Sequence, residues 1–294
     1  MAESIVTAVS RPPAARRAPE ALEFPGCRPV YISRDDIADY EGRFEFWDAD
    51  TEIAMVCEPT SYYHERPLHR LARLTDRIAA ARGTPIEAVG HTDLLLRNAR
   101  GERQRIMQAD HILFLRPAQT IPCGKVIEAG MDALPDVVLE VDNTTDIRRG
   151  KLGLYESWGF PEVWVEVPDE PEPNRPGSLR PGLTIHLRGP DGFHAAPVSR
   201  AFPGWTAEEI HRALNEVALS DETARVLNWV GTAMGAAQGT GPDDDPFLRR
   251  QRRESRAEGW AQGHAQGHAE GQVKGLDEGR KEGTRAAVLQ VFES

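Results

Sequence analysis

The stretch "LPDVVLEVDNTTDIRRGKLGLYESWG", Leu134 to Gly159, joins a predicted buried strand to a predicted helix and decides the fold class. Its run of Val and Leu is short and is bounded by a proline and by turn-forming residues, as is typical of a central strand. Side chains alternate along a strand, so Leu139 and Val141 face one way and Glu140 faces the other. An unpaired carboxylate is costly inside such a strand, so Glu140 needs a partner.

The second half of the stretch predicts a helix. Asp146 is a suitable N-cap and Gly159 a suitable C-terminal stop. Between them the apolar residues recur at helical spacing and form one stripe, which consists of Ile147, Leu154, Tyr155 and Trp158. Lys151 falls on the same stripe. Its ammonium either meets the acids of the preceding strand or extends to solvent at the edge of the stripe.

Composition narrows the function classes. The net charge of the 294 residues is -11. Residues 1–20 hold three basic and two acidic residues, and residues 242–294 hold nine basic and ten acidic ones, so the excess of acids lies between them. Nucleic-acid binding by bulk electrostatics usually needs a basic patch, so a nuclease with this composition would depend on local Arg clusters and metal ions.

Other features of the sequence bear on compartment and on cysteine chemistry. No apolar stretch approaches the roughly 20 residues of a membrane span, and the start of the chain has no apolar core of signal-peptide type. These observations predict a cytoplasmic protein with no membrane partner. Cys27, Cys57 and Cys123 lie far apart without paired spacing, which predicts reduced thiols and neither a zinc knuckle nor a disulfide framework.

The order of predicted elements is helix, strands, helix, strand, which indicates a mixed α/β domain. We predict a loose arm at 1–25, the domain at 26–235, and a linker with a low-complexity tail at 236–294. The tail has glycine at every fourth position from Gly259 to Gly283. Because glycine costs about 1 kcal/mol in a helix interior, the tail should be disordered, or helical only when packed. A solvated tail and a tail that self-associates or binds a partner both remain open.

Asp110, thirty residues before Glu140, is the best candidate for a partner acid because it lies at the centre of another apolar run, "RIMQADHILFL". Side chains on paired strands can converge on one hard cation such as Mg²⁺ or Mn²⁺. A metal held by two carboxylates beside a lysine suits phosphodiester hydrolysis. The alternatives are that Asp110 ends its strand at the surface and that Glu140 pairs with an arginine.

The segments "PDVVLEV", "KLGLYESWG" and "GFPEVWVEV" together resemble the Uma-type putative restriction endonuclease family of the PD-(D/E)XK nuclease superfamily. "EFWDADTEIAMVCEPTSYYHE" and "SRAFPGW" are similar to its opening and closing segments, so the resemblance covers roughly residues 30 to 215. It implies a restriction-endonuclease-like mixed sheet flanked by helices and a Mg²⁺-dependent endonuclease acting on DNA. Carried over by position, the metal ligands are Asp110 and Glu140, and Lys151 and Glu45 complete the catalytic set.

The sequence departs from the family's pattern at several positions. Ala109 stands where proline is usual, "EVDNTTD" replaces a Ser-Pro turn, and Ala49 replaces a glycine. Asp142 either binds a second metal or ends its strand, and His64 either acts on substrate or is structural. The competing hypothesis is a non-catalytic module of the same fold that assembles through its tail, and a homo-oligomer is compatible with both hypotheses.

Overall fold

The computed structural model describes residues 22–57, 61–120, 124 and 126–292. Most of the predicted arm at 1–25, and Cys123, therefore lie outside the described residues. The chain divides into two compact units. One consists of Met1–Thr75 and Ile86–Ala224, and the other of Asp76–Pro85 and Arg225–Ser294.

The first unit is built on one mixed sheet of ten strands. The strands are β1 (Cys27–Tyr31), β2 (Phe46–Asp48), β3 (Ile53–Cys57), β4 (Glu87–Arg97), β5 (Arg103–Phe114), β6 (Ile127–Glu128), β7 (Val137–Val141), β8 (Glu162–Val167), β9 (Gly182–Gly189) and β10 (Gly192–Ala196). They follow the order β1-β3-β2-β5-β7-β8-β9-β10, with β4 on β5 and β6 on β4. The β7–β8 and β4–β6 pairs are parallel, and the other pairs are antiparallel.

The centre of the sheet matches the prediction from sequence. All residues of β7 and of β8 are buried, as expected for strands that are covered on both faces. The core on the Glu140 side of β7 joins Val138 to Leu154, Tyr155 and Trp158 of the following helix. The predicted mixed α/β architecture is therefore confirmed.

Six α-helices accompany the strands within the described residues: α1 (Tyr62–Arg82), α2 (Pro117–Thr120), α3 (Lys151–Trp158), α4 (Ala207–Asn215), α5 (Asp221–Gln238) and α6 (Pro246–Phe292). Two helices stop at glycines, and the stop at Gly159 was predicted. Gly83 follows α1 with φ 82°, and Gly159 ends α3 with φ 98°, which are conformations that favour glycine. Thr206 and Glu209 form a capping box at the start of α4. No helix in the described part of the chain combines the length and the hydrophobicity that a membrane crossing requires.

The helix after β7 begins later than the sequence predicted. Asp146 caps a 3₁₀ turn, Ile147–Arg149, by accepting the N–H of Arg148, and α3 begins only at Lys151. The reason is Gly150, whose φ of -154° and ψ of -74° break the helical path between the two segments.

The prediction that all cysteines are reduced is wrong in the structure. Cys27 and Cys57 form a disulfide, with their Cα atoms 4.1 Å apart. They lie directly opposite each other in the antiparallel pair of β1 and β3. The sequence did not reveal this pairing, because it depends on the register of two strands that are separated by 30 residues.

The glycine-rich tail forms the long helix α6, so of the two predicted alternatives, disordered or helical when packed, the disordered one does not hold for residues 246–292. Side-chain pairs four residues apart support it locally, including Arg250–Glu254 and Lys274–Glu278. A Cβ added at any glycine from Gly259 to Gly283 would meet nothing within 4 Å. Whether this helix needs a packing partner stays a prediction.

Candidate active site

Asp110 and Glu140 lie side by side on the two central strands. The register of β5 and β7 pairs His111 with Leu139, so one further step sets Asp110 opposite Glu140. Both side chains point from the same face of the sheet, since opposite residues of a pair share a face. Both are buried, with 3% and 1% of their surface exposed. Asp110 therefore does not end its strand at the surface.

Lys151 joins this pair from the first residue of α3. Its Nζ lies 2.7 Å from Oε2 of Glu140 and 2.5 Å from Oε2 of Glu45. Only 1% of the lysine is exposed, so the alternative in which its ammonium extends to solvent does not apply. Tyr155, one turn later on α3, donates its hydroxyl to Oε1 of Glu140. Both oxygens of Glu140 are thus held by donors from one helix face.

Glu45 reaches the same point from the residue before β2. Its N–H donates to the carbonyl of Met55, and its carbonyl accepts the N–H of Gln108, so β3 and β5 fix it on both sides. The residue is 7% exposed. The structure therefore brings together all the site residues expected from sequence, namely Asp110, Glu140, Lys151 and Glu45.

Asp110 has partners of its own. Its Oδ2 accepts the backbone N–H of Val141 at 2.9 Å, and its Oδ1 accepts from Nη2 of Arg43 at 2.6 Å. His64, near the start of α1, holds Nε2 at 3.4 Å from the same Oδ1. Three carboxylates thus face Lys151, Arg43 and the His64 ring.

The charges of this cluster shift its pKa values. Burial raises the pKa of Glu140 well above its ordinary value, and the nearby Asp110 and Glu45 add to this against the opposing effect of Lys151. Burial also disfavours the charge on Asp110, but His64, Lys151 and Arg43 outweigh it and lower the pKa of that carboxyl. Burial lowers the pKa of Lys151, yet Glu140, Glu45 and Asp110 more than reverse this, so the lysine stays an ammonium. A proton that enters the carboxylate pair therefore goes to Glu140.

Two residues left open by the sequence have definite surroundings. Burial lowers the pKa of His64, but the charge and hydrogen bond of Asp110 more than offset this, so the pKa is raised. Asp142 accepts the N–H of Ile147 and the hydroxyl of Thr145, which is the bonding of a residue that ends a strand and starts a turn. Burial raises the pKa of Asp142 to about 7.

The donor chemistry of the site fits a hard divalent cation. Carboxylate oxygens are the ligands that Mg²⁺ and Mn²⁺ prefer, and Asp110 and Glu140 supply them from adjacent strands. Among the described residues, no group of three or more His, Cys, Asp or Glu side chains is arranged to hold a metal. A cation here would be held by the carboxylates of Asp110 and Glu140 and would complete its coordination with water.

A cleft of about 330 Å³ adjoins the site. Its lining includes Arg43, Glu45 and His64 from the site itself. The rest of the wall includes Ser61 at the start of α1 and Glu172, whose carboxylate accepts the Ser61 hydroxyl. The cleft reaches Glu45 of the cluster, together with Arg43 and His64, which contact Asp110.

Sequence reasoning missed Arg43 and the role of Tyr155. Both carried a signal. Arg43 precedes Glu45 by two residues, the spacing at which an extended chain places side chains on one side. Tyr155 follows Lys151 by four residues, which sets both on one helix face.

No protein-family model matches the chain. No curated protein matches it either. The chain is similar to the crystal structure of a putative nuclease belonging to DUF820 from Anabaena variabilis ATCC 29413, with 10% identity and a TM-score of 0.38 over 68% of this chain and 99% of that one.

Proposed function

We propose that this protein is a metal-dependent endonuclease that hydrolyses phosphodiester bonds in DNA. The observation that carries the proposal is the buried ammonium of Lys151, bonded to Glu140 and Glu45 beside Asp110. Burial of four charged side chains at one point costs stability. A catalytic role would explain why the chain retains them there. Glu45 of this cluster lines a cleft of about 330 Å³, which offers room for a substrate next to the site.

Asp110 and Glu140 are the residues that would hold the cation. When bound, a divalent ion polarises a phosphate ester and activates water for attack. Lys151 is the protein's own cationic group beside Glu140. As a permanent ammonium it donates hydrogen bonds to an attacking water or to the oxygens that gain charge in the transition state. Tyr155 keeps the Glu140 carboxylate in place, and Glu45 keeps the lysine in place.

The experiment is incubation of supercoiled plasmid with the full chain and Mg²⁺ or Mn²⁺, with and without chelator. We expect nicked and linear products that disappear with chelator. Asp110→Asn should lower the rate by roughly a thousandfold, and so should Lys151→Met under conditions in which its unfolding curve shows that the variant is folded. Asp48→Asn is the matched control, because Asp48 is a carboxylate of β2 that pairs with Arg105 outside the site.

Two further arms separate the alternatives. Single-stranded RNA and single-stranded DNA of equal length, compared in the same assay, test whether the substrate is DNA. Absence of cleavage with either metal, in a protein that is folded, would refute the nuclease proposal and favour the non-catalytic module that assembles through its tail. Cleavage that persists in all site variants would point to a contaminating enzyme and would equally refute the assignment of residues.

A further inference from the structure

Arg43 covers the solvent side of Asp110. Its guanidinium donates to Oδ1 of Asp110 at 2.6 Å, which is a short, charge-assisted hydrogen bond. The Arg43 side chain is 26% exposed, whereas the Asp110 side chain is 4% exposed. A cation that approaches Asp110 through the cleft meets the guanidinium first, since Arg43 lines that cleft.

The guanidinium stands where a metal would compete with it. Val141 takes the other oxygen of Asp110 through its backbone N–H, so Oδ1 is the oxygen that remains for a cation. A divalent ion and a guanidinium at one carboxylate oxygen repel each other strongly, and two positive charges are not both needed to balance Asp110. One of the two must move when the other binds.

A second acceptor lies ready for Arg43. Oε1 of Glu65 is 3.7 Å from Nη1 of Arg43. That oxygen is buried and has no hydrogen-bond partner among the described residues, which is costly for a carboxylate. A small rotation of the guanidinium from Asp110 to Glu65 would satisfy it. His91 lies next to both groups, with its Nε2 3.3 Å from Nη1 of Arg43 and 3.7 Å from the same Glu65 oxygen, and it adopts a positive φ of 48° that is uncommon for a non-glycine residue.

We propose that Arg43 is a built-in counter-ion that holds the cation position on Asp110 and moves to Glu65 when a divalent metal binds. The inference rests on the proposed function only in taking Asp110 as a ligand of a divalent metal. Arg43 is a positioning residue in this scheme. It neutralises Asp110 when the metal is absent, and it leaves Oδ1 open when the metal is present.

The test measures Mn²⁺ affinity by electron paramagnetic resonance of free Mn²⁺ and by calorimetry, on the full chain without DNA. Arg43→Gln should bind Mn²⁺ roughly tenfold or more tightly than the parent, because the competing charge is removed. Glu65→Gln should bind it about threefold more weakly, because the displaced guanidinium loses its charged acceptor. Arg105→Gln is the control, since Arg105 forms a comparable pair with Asp48 on the same sheet and should leave the affinity unchanged.

Equal or weaker Mn²⁺ binding by Arg43→Gln would overturn the proposal, and so would the absence of Mn²⁺ binding by both proteins. If Arg43→Gln does not fold, Glu65→Gln decides alone, and unchanged or tighter binding there refutes the exchange. Metal binding with the expected pattern but without plasmid cleavage would leave this inference standing and remove the nuclease proposal, so the two can fail separately.

Discussion

Replacement of Lys151 by methionine should be among the most damaging changes to the fold. The ammonium lies 2.7 Å from Glu140 and 2.5 Å from Glu45, and its side chain is 1% exposed. At an effective dielectric constant of about 20, each contact corresponds to an attraction of about 6 kcal/mol before desolvation is subtracted. Breaking a buried pair leaves an uncompensated charge, so Lys151→Met should cost about 3–5 kcal/mol of unfolding free energy at pH 8.

The same substitution should be milder in acid, and a second substitution should repair it. Burial and the neighbouring acids raise the pKa of Glu140 in the folded state, so the folded protein holds a proton there that the unfolded chain releases. That contribution is fully present below the ordinary pKa of 4.5 and is lost as the pH rises through the folded value. Urea unfolding of Lys151→Met at pH 5 and pH 8 should therefore differ, with the larger loss at pH 8.

Lys151→Met combined with Glu140→Gln should recover part of the loss, because a neutral amide replaces the uncompensated carboxylate. A double-mutant cycle measures this coupling from four unfolding curves. A cost below about 1 kcal/mol for Lys151→Met at pH 8, or no recovery in the double variant, would refute the view that these charges depend on each other.

The remaining predictions concern single features. Asp142, with a folded pKa of about 7 against an ordinary 3.8, should make stability fall as the pH rises between these values, and Asp142→Asn should flatten melting temperatures over that window. His111 is buried with a pKa lowered to about 4, so stability should fall as the pH drops from 6.5 towards 4, and His111→Phe should remove that loss in the same melting series. Deletion of 246–294 should leave folding and cleavage intact, and if the tail associates it should lower the number of chains per particle that light scattering gives. Loss of the fold on deletion would show that the tail packs on the core. Alanine should replace four glycines of α6: Gly263, Gly267, Gly271 and Gly275. If these positions are solvated, the circular dichroism signal at 222 nm should show more helix, and helix stability should rise by about 4 kcal/mol. Weakened association would instead show that the glycines lie in a contact between chains.

Much of the site followed from the sequence because strands and helices have fixed periods. Glu140 faces α3 because side chains alternate on β7, and Lys151 faces the sheet because it falls on the apolar stripe of α3. The stop at Gly83 and the capping box at Thr206 were also predictable, since they depend on a few neighbouring residues.

What could not be predicted depends on contacts between distant segments. Arg43 meets Asp110 across 67 positions, and only the folded path before β2 sets its direction. The Cys27–Cys57 disulfide requires the register of β1 and β3, which no local pattern encodes. Gly150 interrupts the start of α3 by its backbone angles, although the sequence alone allows a continuous helix from Asp146.

Glu162, a buried acid of β8, shows why burial alone does not identify a site. Glu162 accepts the indole N–H of Trp164 and the Ser199 hydroxyl, together with backbone N–H groups of the loop after β10. Neutral donors hold that carboxylate and tie the loop to the sheet, which is sufficient reason for it to be buried. Glu140 instead pairs with the ammonium of Lys151, which also contacts Glu45. Asp110 contacts both the Arg43 guanidinium and the His64 ring. Their charges are therefore balanced by cationic side chains that a substrate or a metal can displace. Neutral N–H and O–H donors are sufficient to anchor a buried carboxylate, as they do for Glu162, so the cationic partners of Asp110 and Glu140 are not needed for anchoring alone. This contrast favours a chemical role for the Asp110–Glu140 pair.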